Sequence, residues 1–495
     1  MHEDQSLSAE CGYQEIVQVS RQRVAGGDQK LYGKMCGKYL VFIFLFYTFL
    51  FGEQITTAVP FWKYADEFIA LIALPLWVLN LLKRRKTALK YAGVYIYIFA
   101  FLCCCLAGTC IYSYQPFFEA ALPDLLLCAK FWLCLYFGMR VFRNFDIAEY
   151  AGKLYLQIKI ITWSFFILSV LNMTTGIFHY YDYRFGIGSN SLFYAHPTVL
   201  VGCCSLLAVM LIAIRPFVRG SLFYMVLLMI TMCTSLRSKA VADVIIFAAI
   251  CFLSSGKRNR LSVKHLLLLI PPVVLAGWWQ IEFYFIELEG DSARSMLLLK
   301  SFQIANDHFP FGAGSGTYGS FFSSVYYSPL YYEYGLNTVY GLSEDFYDFM
   351  FDSFWPMILG QAGYPGLLLY AAAILQLFKE IGLLKLSRPH FYSSALGVMG
   401  FLLIESCAAS AFVHPSALPF AIWLGMLLGS ADFKPVEKYS RRYTSVRERS
   451  GTHGNNGALP INHVICRTNG NERACMDDRS PGRLKNGIEK KYNCS

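Results

Sequence analysis

The sequence predicts an all-α, polytopic membrane protein with about twelve transmembrane helices and one long loop late in the chain. Three observations carry this. The chain is 56% hydrophobic and only 15% charged, where a soluble protein carries about 25% charged residues. Apolar runs approaching the roughly 20 residues needed to cross hydrocarbon recur along it. Lys and Arg crowd alternate connections between the runs.

The runs follow one another in a regular order. A polar segment, 1–38, precedes the first, 39–52. A loop with Lys63 leads to 68–82, and Lys83, Arg84, Arg85, Lys86 and Lys90 fill the next loop. Runs 91–112 and 122–139 flank a connection with no Lys or Arg. Arg140, Arg143 and Lys153 precede 154–173, and Arg184 precedes 196–214. Arg215 and Arg219 lead to 221–235, and a tight hairpin with Arg237 and Lys239 to 239–255. Lys257, Arg258, Arg260 and Lys264 come before 265–283. The long loop 284–353 holds Arg294 and Lys300. Run 354–377 is followed by Lys379, Lys385 and Arg388, then by 392–411 and 417–431. In lipid each backbone must satisfy its own hydrogen bonds, so the runs are expected as helices.

The cation alternation is the positive-inside pattern. It predicts both termini in the cytoplasm and the 284–353 loop on the outer face. It also accounts for the +10 net charge without a nucleic-acid partner. Residues 1–36 are too polar for a signal peptide, so the first helix is expected to direct insertion. The tail 433–495 is polar, basic and rich in Gly and Asn; it is expected to be disordered and suited to anionic lipid.

Cys103, Cys104, Cys105, Cys110, Cys128, Cys134, Cys203, Cys204, Cys233, Cys251 and Cys407 fall in apolar runs, where they act as small hydrophobes. The long loop has none. No metal-ligand spacing occurs, and neither metal nor other cofactor is expected.

Ionisable groups inside the runs are costly, and each is a functional hypothesis. Lys130 and Lys159 can snorkel or pair with a neighbouring helix. Asp243 lies four residues past Lys239, which predicts an i,i+4 pair. Glu405 has no evident local partner, and His414-Pro415 reads as a helix boundary. The outward cations run against the positive-inside tendency, so each needs a local reason. Arg184, Arg237 and Arg294 at the ends of different helices could clamp a pyrophosphate through bidentate guanidinium contacts; lipid headgroups are the plainer alternative.

The stretch Gly314-Ser-Gly316-Thr-Tyr-Gly319 fits GxGxxG, but the dinucleotide fingerprint needs a strand–turn–helix unit that an outward loop does not supply. A turn at Gly312, Gly314 and Gly316 whose amides approach a substrate phosphate remains open. Tyr318, Phe321, Phe322, Tyr326, Tyr327, Tyr331, Tyr332, Tyr334 and Tyr340 can stack on sugar rings or form an interfacial belt.

In this order the chain resembles the O-antigen polymerase and ligase superfamily, the Wzy-type polymerases of surface polysaccharide. Four patches carry the likeness. Arg184-Phe-Gly-Ile-Gly with His196-Pro-Thr198 is similar to the family's Arg and Gly before an Asn or His-Pro-Asn helix start. Ser235-Leu-Arg237 resembles its Ser-Arg hairpin with one residue inserted. Arg294 through Pro310-Phe-Gly-Ala-Gly314 resembles its loop, and Asp352-Ser353 with Gln361-x-Gly363-x-x-Gly366 resembles its "His-Asn … Glu-x-Gly-x-x-Gly" patch. Asp352 takes the place of the His that ligases are thought to use, and Gln361 that of the Glu.

The resemblance implies a bacterial inner-membrane enzyme with a periplasmic active loop. Its substrate would be an oligosaccharide repeat on undecaprenyl pyrophosphate, and it would move the growing chain onto the next repeat. Arg184 and Arg294 would hold the pyrophosphate, with Arg237 assisting. The base would be Asp352, followed by His308 and Glu344, with Asp345 beside it. A chain-length regulator and a separate flippase are the protein partners so implied. A ligase of the same superfamily, a lipid-linked sugar flippase and a structural export subunit are the alternatives. The lack of an internal repeat weighs against a flippase.

Overall fold

The computed structural model describes residues 36–83, 91–184, 186–254, 261–282 and 292–430. The expected tails, apart from 36–38, and loop residues 284–291 lie outside the described residues. So do Arg84, Arg85, Lys86, Lys90, Lys257, Arg258 and Arg260.

The structure is almost entirely helical. In chain order come α1 (Cys36–Leu50), α2 (Gly52–Ala58), α3 (Ala65–Leu82), α4 (Ala92–Tyr112), α5 (Leu122–Val141) and α6 (Ile147–Thr175). A two-residue hairpin, β1 (Tyr183–Arg184) against β2 (Ile187–Gly188), is the sheet among the described residues. Then follow α7 (Pro197–Ile214), α8 (Ser221–Cys233), α9 (Ser238–Leu253), α10 (Val263–Leu268), α11 (Ile270–Glu282) and α12 (Ala293–Asp307). The last are α13 (Phe321–Val325), α14 (Pro329–Glu333), α15 (Phe354–Gly382), α16 (Leu384–Ser387), α17 (Pro389–Ser406) and α18 (Leu418–Ser430).

Over their described residues all twelve apolar runs are mainly helical, but they are not equally able to span. Among the described residues five helices are long and apolar enough, and α1 with α2, bent by 81°, would make a sixth. The shortest of the others fall short by length. The 13 residues of α8 rise only about 20 Å at 1.5 Å per residue, against ~30 Å of hydrocarbon. The helices turn apolar side chains outward: Ile96 and Phe99 on α4, and Ile160 and Ile167 on α6, are more than half exposed. Apolar faces of this kind suit lipid, and the chain is a helical membrane protein.

Two cores form. The larger is the helix bundle, in which α5 packs along α18, α4 along α15 and α7 along α17. The smaller lies within the late loop, where Leu297, Ile304, Tyr318, Leu330, Tyr331, Leu336 and Met350 are buried together. The loop is thus a folded cap with its own hydrophobic centre.

The cap is fastened at a break in α15. Gly363 has φ +65°, and a Cβ there would lie 2.1 Å from the Pro310 carbonyl oxygen. The carbonyls of Gly360 and Gln361, before the break, accept the amides of Ala313 and Gly314 at 2.9 and 3.0 Å. The glycine turn therefore supplies the donors that the interrupted helix lacks, as buried backbone groups require.

Candidate functional site

Charged side chains from five elements meet at one end of the bundle. The first group is built on the 176–196 segment. Gly176 ends α6 in the left-handed conformation, and the chain turns into the β1–β2 hairpin. Asn190 fastens that segment to the α8–α9 turn: its amide donates to Thr234 O at 3.1 Å, and its side chain donates to Thr234 Oγ1 at 3.1 Å. Ser189 Oγ donates to Ser235 O at 2.8 Å. Arg237, beside the left-handed Leu236, is thereby brought to the hairpin. Asp182 accepts from both arginines, from Arg184 Nε at 3.1 Å and Arg237 Nη2 at 3.2 Å. The Arg237 guanidinium also lies 5.2 Å from the Tyr181 ring centroid, and Tyr181 meets His196 edge to face at 4.5 Å.

The second group comes from the cap. Ser292 caps α12, accepting the Ser295 amide at 3.2 Å, and Arg294 projects from the first turn. Its Nη2 donates to Asp352 Oδ2 at 2.8 Å. Asp352 is held in turn by its neighbours: Ser410 donates its amide to Phe351 O at 3.0 Å, and Trp355 Nε1 donates to Ser406 Oγ at 3.1 Å.

Lys239, at the start of α9, joins the two groups. It bonds Glu405 at 2.8 Å, and its charge reaches both Asp352 and His196. This corrects the expected Lys239–Asp243 pair. The cation turns across to α17 instead of along its own helix, and Glu405 gains the partner that its local sequence lacks. Asp243 is fully buried with no donor to either oxygen among the described residues. Lys130 bonds Glu67 at 3.1 Å, and Lys159 lies over the rings of Tyr155 and Tyr224.

The electrostatics of the two groups differ. Burial acts to raise the Asp182 carboxyl, but the Arg184 hydrogen bond and the charges of Arg237 and Arg184 outweigh it and hold its pKa below the ordinary value. Half-buried Asp352 goes the other way. Desolvation raises it, and Arg294 and Lys239 only partly oppose this. His196 is pushed down to about 4, by burial first and then by the charges of Arg237 and Lys239.

Other expected site residues lie in different surroundings. His308 is buried in the cap, where its Nδ1 bonds Ile304 O and its Nε2 bonds Tyr114 Oη, each at 2.9 Å. Both ring nitrogens are used, so the structure places it as a packing residue and not beside the arginines. Glu344 is exposed and accepts from Tyr332 Oη at 2.6 Å; no described contact ties it to the charged cluster. Nor is the turn at Gly312, Gly314 and Gly316 an open phosphate cradle. The Gly312 amide donates to His308 O at 2.9 Å, and Gly314 to Gln361 O at 3.0 Å. The Gly316 amide donates to buried Asp124 Oδ2 at 2.8 Å, and Ser315 Oγ to the same oxygen at 2.9 Å. Gln361 is likewise structural, donating to Tyr318 O at 2.9 Å. Tyr318 and Tyr331 are fully buried, which removes them from any sugar-stacking surface; Tyr326, Tyr332 and Tyr340 remain exposed.

No family model matches this chain, and no curated protein matches it significantly. The reading of the site therefore rests on its geometry.

A cavity of about 860 Å³ adjoins the cluster. Its walls include Phe49, Trp62, Leu192, Phe193, Leu206 and Phe420, and Tyr181 belongs both to it and to the charged group. The arrangement offers fixed cations beside an apolar chamber. Asp182, Lys239 and the role of His196 were not singled out as site residues from the sequence. The signal available for Asp182 was its place two residues before Arg184.

Proposed function

We propose that this protein is a bacterial inner-membrane glycosyltransferase that polymerises oligosaccharide repeats carried on undecaprenyl pyrophosphate, for O-antigen, capsule or exopolysaccharide. The observation that carries the reading is the pair of Arg184 and Arg237 on Asp182 and the Arg294–Asp352 pair, linked by Lys239, whose charge reaches both groups, with an apolar chamber alongside the first. Such a site suits a ligand with an anionic head and a long apolar tail. On this proposal the twelve apolar runs all serve as spans and the cap lies in the periplasm.

In the proposed reaction the arginines bind the pyrophosphate that joins the growing glycan to its carrier. Guanidinium forks suit phosphate oxygens, and fixed cations stabilise the charge that develops on a leaving group. As the phosphate engages Arg294, Asp352 loses its ion-pair partner. Its desolvated carboxylate then takes the proton of the acceptor hydroxyl on the incoming repeat. The hydroxyl oxygen bonds the anomeric carbon, the bond from that carbon to the pyrophosphate oxygen breaks, and the electron pair leaves with the lipid pyrophosphate. No nucleotide enters, because the donor is already activated.

The test is glycan length on a gel, in cells lacking the gene and complemented with wild type or Arg294→Ala. Long chains return with wild type and not with the variant, which loses about 100-fold in extension if one charge contact to the leaving group is removed. Long chains that persist on the lipid carrier in the deletion would show a ligase. The interhelical Lys239–Glu405 pair beside Asp243 favours a second reading, transport of the same lipid-linked sugar, since such networks mark relays in transporters. Accumulation of single repeats on the cytoplasmic leaflet would establish it and end the polymerase reading.

A further inference from the structure

His196 stands at the centre of the charged cluster, and the sequence motif around it offers no role for its side chain. It caps α7 through Nδ1. The Thr198 amide donates to that nitrogen at 3.2 Å, and Thr198 Oγ1 lies 2.6 Å from it. A nitrogen that accepts a backbone amide carries no proton. The neutral imidazole must therefore bear its hydrogen on Nε2, as a donor.

The surroundings enforce the neutral form. Arg237 just before α9, Lys239 in its first turn and Arg184 on the hairpin act on the ring by their charge, and Asp182 is the opposing carboxylate. From α2, Glu53 accepts the neighbouring Ala195 amide at 2.9 Å. Tyr181 fixes the ring plane from the side, edge to face at 4.5 Å. The residue is only partly buried, so the ring remains accessible from the cluster.

We propose that His196 is a neutral hydrogen-bond donor, giving its Nε2–H to an oxygen of the phosphate held by Arg184 and Arg237. It is neither the general base nor a further cation. The inference rests on the pyrophosphate reading of the cluster and adds a contact to it. A neutral donor adds a directed bond where another positive charge would be repelled by three cations. Because Nδ1 is taken as acceptor of the Thr198 amide, Nε2–H is the ring's donor in this arrangement.

Two substitutions separate this role from capping. In His196→Asn the side chain can still cap Thr198 but cannot reach the Nε2 position. In His196→Gln the amide nitrogen can occupy the Nε2 position, while the cap is weakened. Both variants are made in the full chain, and glycan length is read in complemented cells. Binding of undecaprenyl pyrophosphate to purified protein in lipid nanodiscs is measured between pH 5.5 and 8. The expected result is that His196→Asn is produced and folded yet loses about 100-fold in chain extension, with weaker binding at every pH. His196→Gln keeps activity within about tenfold, and its pH dependence of binding parallels that of wild type. If His196→Asn restores long chains as well as wild type does, the ring is only a cap and the inference falls. If wild-type binding strengthens at low pH relative to His196→Gln, the ring acts as a cation and the neutral donor is wrong. Arg184→Gln and Arg237→Gln test the foundation. If both bind the probe as wild type does, the clamp falls and the histidine contact with it. If they lose binding while His196→Asn binds normally, only the histidine inference falls.

Discussion

The glycine turn at 312–316 and the charged cluster around Lys239 both break the apolar pattern, yet they serve different ends. At the turn, described amides meet protein acceptors: His308 O, Gly360 O, Gln361 O, Thr109 Oγ1 and Asp124. The region is buried, and the amides of residues 312–316 are all satisfied within the protein. At the cluster, four cations, Arg184, Arg237, Lys239 and Arg294, are paired with three carboxylates, Asp182, Glu405 and Asp352, through side chains that are only partly buried. Like charges gain nothing from meeting unless an anion joins them. What separates the two is thus charge and exposure: the turn spends neutral amides inside the protein, whereas the cluster holds one more cation than carboxylates in partly exposed side chains.

The sharpest way to break this contrast is Gly363→Ala. The new Cβ would strike Pro310 O in a left-handed backbone, at a cost of ~3 kcal/mol or more. Folded protein should be largely lost on size-exclusion chromatography in detergent. A folded, active variant would show that the cap is not fastened there. A smaller effect is expected from Asp124→Asn. It weakens the bonds from Gly316 and Ser315 and should lower stability by about 2 kcal/mol, read as thermal unfolding, while glycan length stays normal in whatever protein folds. A fall in chain length at normal stability would move the turn into the active site.

The cluster should show itself through pH. His196 has a folded pKa of about 4, below its ordinary 6.5. The unfolded chain therefore binds its proton first, and stability is lost as pH falls from about 6.5 toward 4, by well under the roughly 3 kcal/mol that the shift alone implies, because solvent screens a partly exposed ring. Asp182 is lowered, so its contribution is present at neutral pH and is lost only further down, below its ordinary 3.8. Unfolding midpoints of wild type and His196→Asn between pH 7 and 4 should converge at the high end and diverge at the low end; parallel curves would refute the burial of a neutral ring. The smallest effect belongs to Glu344→Gln. An exposed side chain with one tyrosine contact should change both stability and chain length by less than about 0.5 kcal/mol equivalents, and a large loss of chain length would restore it as a base.

The sequence by itself determined that the apolar runs form helices and in what order, and it marked three arginines as exceptions to the cation pattern; it did not show the helices inside the late loop. Each follows from local information: an apolar run satisfies its own backbone, and a cation stands out against an apolar chain whatever it later touches. It could not assign partners. Lys239 was expected to bond Asp243 one turn along and instead bonds Glu405, 166 residues away. Asp352 and Arg294 are 58 residues apart, and Arg237 reaches Asp182 across 55. His308 and the glycine turn looked like chemistry because loops collect polar residues, but packing used their donors and acceptors to close the break in α15. Only the tertiary structure decided which charges meet, because a long-range ion pair depends on where helix ends arrive in space, and helix periodicity carries no record of that.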